Sequence, residues 1–229
     1  MAAGRWTSSA HAFFDDSTFR SLAMSTTTND LSRFDRAIAR FDAANAEDPH
    51  RESWQGKEHP KELLYAQRMS AMLDRFMPDA SEALRLAVRC QHIQRWQIPR
   101  AEYPMTPVGY KQWRQQLQKM HAEIAGRILR DVGYDDDTIG RVQSLLRKEK
   151  LKVNPETQAL EDVVDLVFLE SYLADFVTTH SHYDEAKLID ILRKTWQKMS
   201  ARGREAALTM ITLPPELVPV ILKAVGPAT

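Results

Sequence analysis

Residues 154–168 read NPETQALEDVVDLVF, and this stretch decides the fold. Asn154 is a residue of the kind that caps a helix with its side chain, and Pro155 has its φ already set for a first helical turn. From there Leu160, Val163, Val164, Val167 and Phe168 recur at steps of three and four, the helical period, and do not alternate as a half-buried strand would. The apolar residues cover more than one face, so this helix belongs at the centre of the molecule, with neighbours on several sides. Asp162 and Asp165 lie on it one turn apart and share a face.

The helical period continues outward in both directions. On the N-terminal side, Asp135 to Asp137 open a helix carrying Ile139, Val142, Leu145 and Leu146, with the acids at the positive end of its dipole. A longer helix runs from about Val108 to Val132 and stops at Gly133. Before it lies a loop marked by Pro99, Pro104 and Pro107, long enough to carry function. A further helix runs from Ser81 through Leu84, Ala87 and Val88 to about Trp96, and another opens at Pro60 and ends near Phe76. The first helix presents Leu31, Phe34, Ile38 and Phe41 and stops at Asp48-Pro49, leaving His50 to Lys57 as a polar loop. On the C-terminal side, Asp184 opens a helix with Leu188, Ile191, Leu192 and Trp196, followed by shorter segments at 200–210 and 214–225. No strand or internal repeat is expected. The fold class is all-α, a bundle of about seven to nine helices in one domain from residue 29 to residue 229.

Composition narrows the function. The chain has 229 residues, 31 basic and 31 acidic side chains and no net charge, so a broad basic face for nucleic acid is not expected and any anion site is local. Cys90 is the only cysteine, which excludes an internal disulfide and a cysteine zinc site and fits a reducing, cytoplasmic compartment. No apolar run approaches membrane-spanning length. Residues 1–28, rich in Ala, Ser and Thr, read as a disordered tail or as an over-long start, with the true start at Met24.

Histidine is the informative residue type. His59, in Glu58-His59-Pro60, opens one helix; His92 lies near the end of the next; His121 lies in the long helix; Asp162 follows in the central one. Imidazole and carboxylate together suit a divalent transition metal, and a bundle can bring such ligands from separate helices to one point. Lys61, Arg68, Arg89, Arg95, Lys148 and Lys152 lie near the ends of the same helices, where they could meet phosphate. Arg95 is one helical turn from His92, and Trp96 beside it offers a flat surface. Tyr103, Tyr110 and Trp113 could cover such a site or simply pack the loop down, and Lys187, Lys194, Lys198 and Arg202 could form a basic helical face. The bland reading is that each histidine is structural, the lysines are solvated charges and Cys90 is a buried thiol.

The order His59, His92, His121, Asp162 resembles the HD superfamily of metal-dependent phosphohydrolases over about residues 57–175. Asn154-Pro155-Glu156 is similar to the phrase that precedes the last ligand helix in that superfamily. The body of the chain also resembles domain-of-unknown-function family 4202, through residues 56–63, 91–96, 147–152 and 191–196. The HD resemblance implies His59, His92, His121 and Asp162 as ligands of Mn, Fe, Co, Ni or Zn. On that reading Glu58 or Asp165 is the general base, and the basic residues named above supply Arg95 as a catalytic group and Lys61, Arg68, Arg89, Lys148 and Lys152 as contacts to a small phosphorylated molecule or nucleotide. Ile93 stands where the superfamily's His-Asp pair has its aspartate, with Glu58, Glu123, Glu161 and Asp165 as available replacements. The alternative is a non-catalytic HD-like module that binds a nucleotide, another anion or a protein.

Overall fold

The computed structural model describes residues 31–226. The expectations for residues 1–28 lie outside that range. Within it the protein is predominantly all-α, with ten α-helices and one small hairpin.

Most helices begin where a side-chain acceptor stands. Ser32 caps α1 (Arg33–Ala46), Ser81 caps α3 (Glu82–Arg89), Asp135 caps α5 (Asp136–Leu146) and Asn154 caps α6 (Pro155–Val167). Thr106 caps α4 (Pro107–Asp131), and Asp184 caps α8 (Glu185–Lys198). Ser200 caps α9 (Ala201–Thr209), and α10 (Val218–Val225) ends at Gly226. The central position expected for α6 holds: Leu160, Val163 and Leu166 are fully buried, and α6 touches α2 (Lys61–Phe76), α3, α5, α8 and α9. No helix among the described residues is long and apolar enough to cross a membrane.

Three departures from the expected elements shape the site. First, the polar stretch after α1 is a hairpin, with β1 (Arg51–Trp54) antiparallel to β2 (Lys57–Pro60) and Glu52 opposite His59. Gln55 and Gly56 both have positive φ, 51° and 73°, which is how a two-residue turn matches strand twist. Second, α3 ends at Arg89 and does not reach Trp96. The chain turns through residues 90–94, where Gln94 takes a left-handed φ of 52°, and a 3-10 turn follows at Arg95–Gln97. Third, α6 continues through a π-helical turn at Phe168–Tyr172 into α7 (Leu173–Thr179). Such turns re-aim side chains and recur at functional sites.

Candidate functional site: a cationic, aromatic-walled cavity

Backbone ties hold four segments around one cavity. Asp48 is buried after α1, and its two carboxylate oxygens accept from His50 N at 2.9 Å and Glu62 N at 3.0 Å. It thereby caps the start of α2 in place of Pro60, which offers no side-chain cap. Asn45, also buried, accepts from Gln94 N at 2.9 Å and reaches Glu62 O at 3.5 Å. The end of α1 therefore fixes Glu62 relative to the turn that carries His92. From the other side, His121 in mid-α4 donates from Nδ1 to Ile93 O at 2.8 Å. That bond fixes the ring's tautomer as Nδ1–H and leaves Nε2 a lone pair.

These ties border a cavity of about 800 Å3, lined from β1, α2, the 90–97 turn, α4, the end of α5, α6, the π-turn, α7 and α8. At one end His92 is the hub. Its ring stacks on Tyr65, with centroids 4.3 Å apart and planes 16° apart, while Nδ1 lies 3.4 Å from Glu62 Oε2. His121 is 6.0 Å away between ring centroids, and Arg95 Nη1 lies 3.3 Å from both His92 ring nitrogens. Arg95 also sits over the Trp113 ring, 5.0 Å from its centre. At the other end Lys148 pairs with buried Glu161, and Lys198 reaches Glu161 at 3.6 Å and Asp165 at 3.2 Å.

Burial redistributes the charges. It lifts the Glu62 carboxyl to about 7, against the pull of the Arg95 charge. Burial, reinforced by Arg95, holds His92 neutral, well below the usual histidine range. His121 is depressed to about 3 by burial and by His92 beside it. Asp165 rises to about 6, again through burial. Burial also pushes Glu161 upward, but its partner Lys148 outweighs that and holds it ionised. Near neutral pH the cavity thus contains two neutral imidazoles, a half-protonated Glu62 and a set of fixed cations.

Several of those cations have no carboxylate. Lys61, Arg95 and Arg114 line the cavity, and none forms an ion pair among the described residues. Arg95 and Arg114 are half-buried and Lys61 is exposed, whereas Arg89, half-buried away from the cavity, is held by both oxygens of Asp42, at 2.7 and 2.6 Å. Three buried side-chain atoms among the described residues lack a hydrogen-bond partner, namely His121 Nε2, Asp165 Oδ2 and Tyr172 Oη. All three residues line this cavity.

The expected site residues divide into two groups. His92, His121, Lys61, Arg95, Lys148 and Asp165 come together on the cavity wall. The others are elsewhere. His59 lies on the hairpin with its ring 5.8 Å from Trp54, and Glu58 beside it is exposed. Asp162 accepts from Ser200 N at 2.8 Å and Ser200 Oγ at 2.5 Å, anchoring the start of α9. Arg68 pairs with Glu52, Arg89 with Asp42, and Lys152 is exposed on the loop between α5 and α6. Cys90 is buried, and burial pushes its thiol pKa upward, as for a structural thiol. The expected quartet His59, His92, His121 and Asp162 therefore does not form one centre. Among the described residues no group of three or more His, Cys, Asp or Glu side chains is arranged to hold a metal ion. Glu62, Tyr65, Gln91, Arg114 and Tyr172 escaped sequence reading, although Glu62 directly follows Lys61 in the first turn of α2.

Residues 35–221 match the family described as a domain of unknown function, DUF4202. The chain belongs to this family. The match runs from α1 into α10 and takes in every residue of the cavity wall named above. No curated protein and no solved structure matches the chain. The family's description supplies no reaction, so the cavity itself carries the functional argument.

Proposed function

We propose that this DUF4202 protein binds a small phosphorylated molecule of about nucleotide size in the cavity between α2, α4 and α6. The observation that carries this reading is the set of unpaired cations, Lys61, Arg95 and Arg114, on the wall of an otherwise balanced protein. Guanidinium groups favour phosphate because their fork matches its oxygens and stays charged when partly desolvated. A volume of about 800 Å3 suits a ligand larger than inorganic phosphate. Trp113 and Tyr110, 5.8 Å apart, add a flat surface for a ring.

A second reading, hydrolysis of that molecule, is favoured by Glu62. A carboxyl poised at about 7 beside neutral His92 suits proton transfer to a leaving oxygen or from an attacking water. The HD resemblance implied a metal-dependent form of this reaction. The implied ligands do not fit it, since His59 lies on the hairpin beside Trp54 and Asp162 holds the cap of α9.

The test is thermal unfolding with a series of phosphate esters and their unphosphorylated alcohols, alongside an assay for released phosphate. Stabilisation by the esters and not by the alcohols supports the site, and phosphate release that is lost in Glu62→Gln supports turnover. A protein indifferent to every ester contradicts both.

A further inference from the structure

Two of the three unpartnered atoms say more about the ligand, provided the cavity binds phosphate as proposed above. Asp165 Oδ2 and His121 Nε2 are both acceptors, both buried, and both on residues of the cavity wall. A buried acceptor without a donor keeps its desolvation penalty, and evolved interiors seldom leave one. Here two stand on the wall of one cavity, and the protein offers neither a donor.

The chemistry of the missing donors is constrained. His121 is a neutral imidazole whose Nδ1–H is committed to Ile93 O, so Nε2 accepts one hydrogen bond. Asp165 Oδ1 already faces Lys198 at 3.2 Å, and Lys148 and Arg114 lie on the same wall. A cationic group on the ligand would meet like charge there. Neutral donors meet both requirements, and a polyol supplies two of them as hydroxyl groups on the same molecule as the anion that the arginines hold.

We infer that Asp165 and His121 are specificity-determining residues that accept hydrogen bonds from hydroxyl groups of the ligand, so that the cavity takes a phosphorylated sugar, free or as the ribose of a nucleotide. Asp165 acts here on the sugar and His121 alongside it; neither need touch the phosphate.

Calorimetric titration of the whole protein with inorganic phosphate, ribose 5-phosphate, adenosine monophosphate and 2′,3′-dideoxyadenosine monophosphate tests this. Adenosine monophosphate should bind roughly tenfold or more tightly than its dideoxy analogue, the size expected for hydrogen bonds to such acceptors. In Asp165→Ala that ratio should fall towards one while affinity for inorganic phosphate is kept or raised, because an acid has left a cationic cavity. A merely structural aspartate would weaken all four ligands together. Ribose 5-phosphate matching adenosine monophosphate points to the free sugar phosphate, and a tighter adenosine monophosphate points to the nucleotide; either order supports the inference. Equal binding of the two adenosine nucleotides by the unaltered protein would overturn it and leave the phosphate site standing. Binding of none of the four would overturn the phosphate site itself.

Discussion

Glu62 and His92, 3.4 Å apart, are both driven towards their neutral forms. The imidazole is held neutral and the carboxyl keeps a share of its proton, because burial penalises charge on both while Arg95 supplies a fixed positive charge next to them. This has a measurable consequence for stability. The Glu62 carboxyl titrates at about 7 when folded and near its ordinary value of 4.5 when unfolded. Its contribution to stability is therefore fully present below that ordinary value and is lost as pH rises through about 7. Gln at this position does not titrate. Urea denaturation should show Glu62→Gln gaining on the unaltered protein between pH 5 and pH 8 by on the order of 2 kcal/mol. A difference that stays constant with pH would refute the assigned shift. At the same scale, Lys152 is exposed with φ of 72°, in the left-handed region that disfavours side chains. Lys152→Gly should stabilise the protein by about 0.5–1 kcal/mol, read from the shift in denaturation midpoint.

At the scale of elements, the site depends on chain breaks more than on helices. The period of apolar residues located α2, α4, α5, α6 and α8, because each presents a stripe to the core and opens at a recognisable signal, a side-chain cap or, for α2, Pro60. It did not show that α3 would stop at Arg89, since Gln91 to Trp96 contains neither proline nor glycine. The stop is set from a distance, by Asn45 of α1 holding Gln94 N and by His121 of α4 holding Ile93 O. The Gln55-Gly56 turn was legible as a turn signal, but the strands beside it are too short and polar to alternate. Asp162 shows the same limit. Its order in the chain fits a ligand, yet its carboxylate accepts from Ser200 and supports the cap of α9, close against Gly203. Asp162→Ala should lower stability by about 1–2 kcal/mol, as lost caps do, while leaving phosphate-ester affinity within about twofold. A selective loss of binding without loss of stability would restore Asp162 to the site.

At the scale of the whole molecule, the cavity joins two regimes of charge. Lys148 and Glu161 form a buried pair whose loss on one side leaves the other uncompensated. Lys148→Met should cost about 3 kcal/mol by chemical denaturation, less if Lys198 moves fully onto Glu161. Lys61, Arg95 and Arg114 form no ion pair among the described residues, and on the proposed reading their charges meet the ligand. The positions of Lys61, Arg95 and Lys148 near helix ends made their place on the cavity wall legible. Arg114 and Tyr65 were not legible, because on isolated helices they are indistinguishable from surface residues; only the packing of α2 and α4 against the 90–97 turn turns them inward.

The central claim is that unpaired arginines make this cavity a phosphate site, and paired binding measurements test it most directly. Adenosine monophosphate should bind the unaltered protein with an affinity that falls as salt rises, and Arg95→Gln combined with Arg114→Gln should weaken it at least tenfold while the circular dichroism spectrum is unchanged. Equal affinity in the two proteins, or no binding by either, would contradict the account.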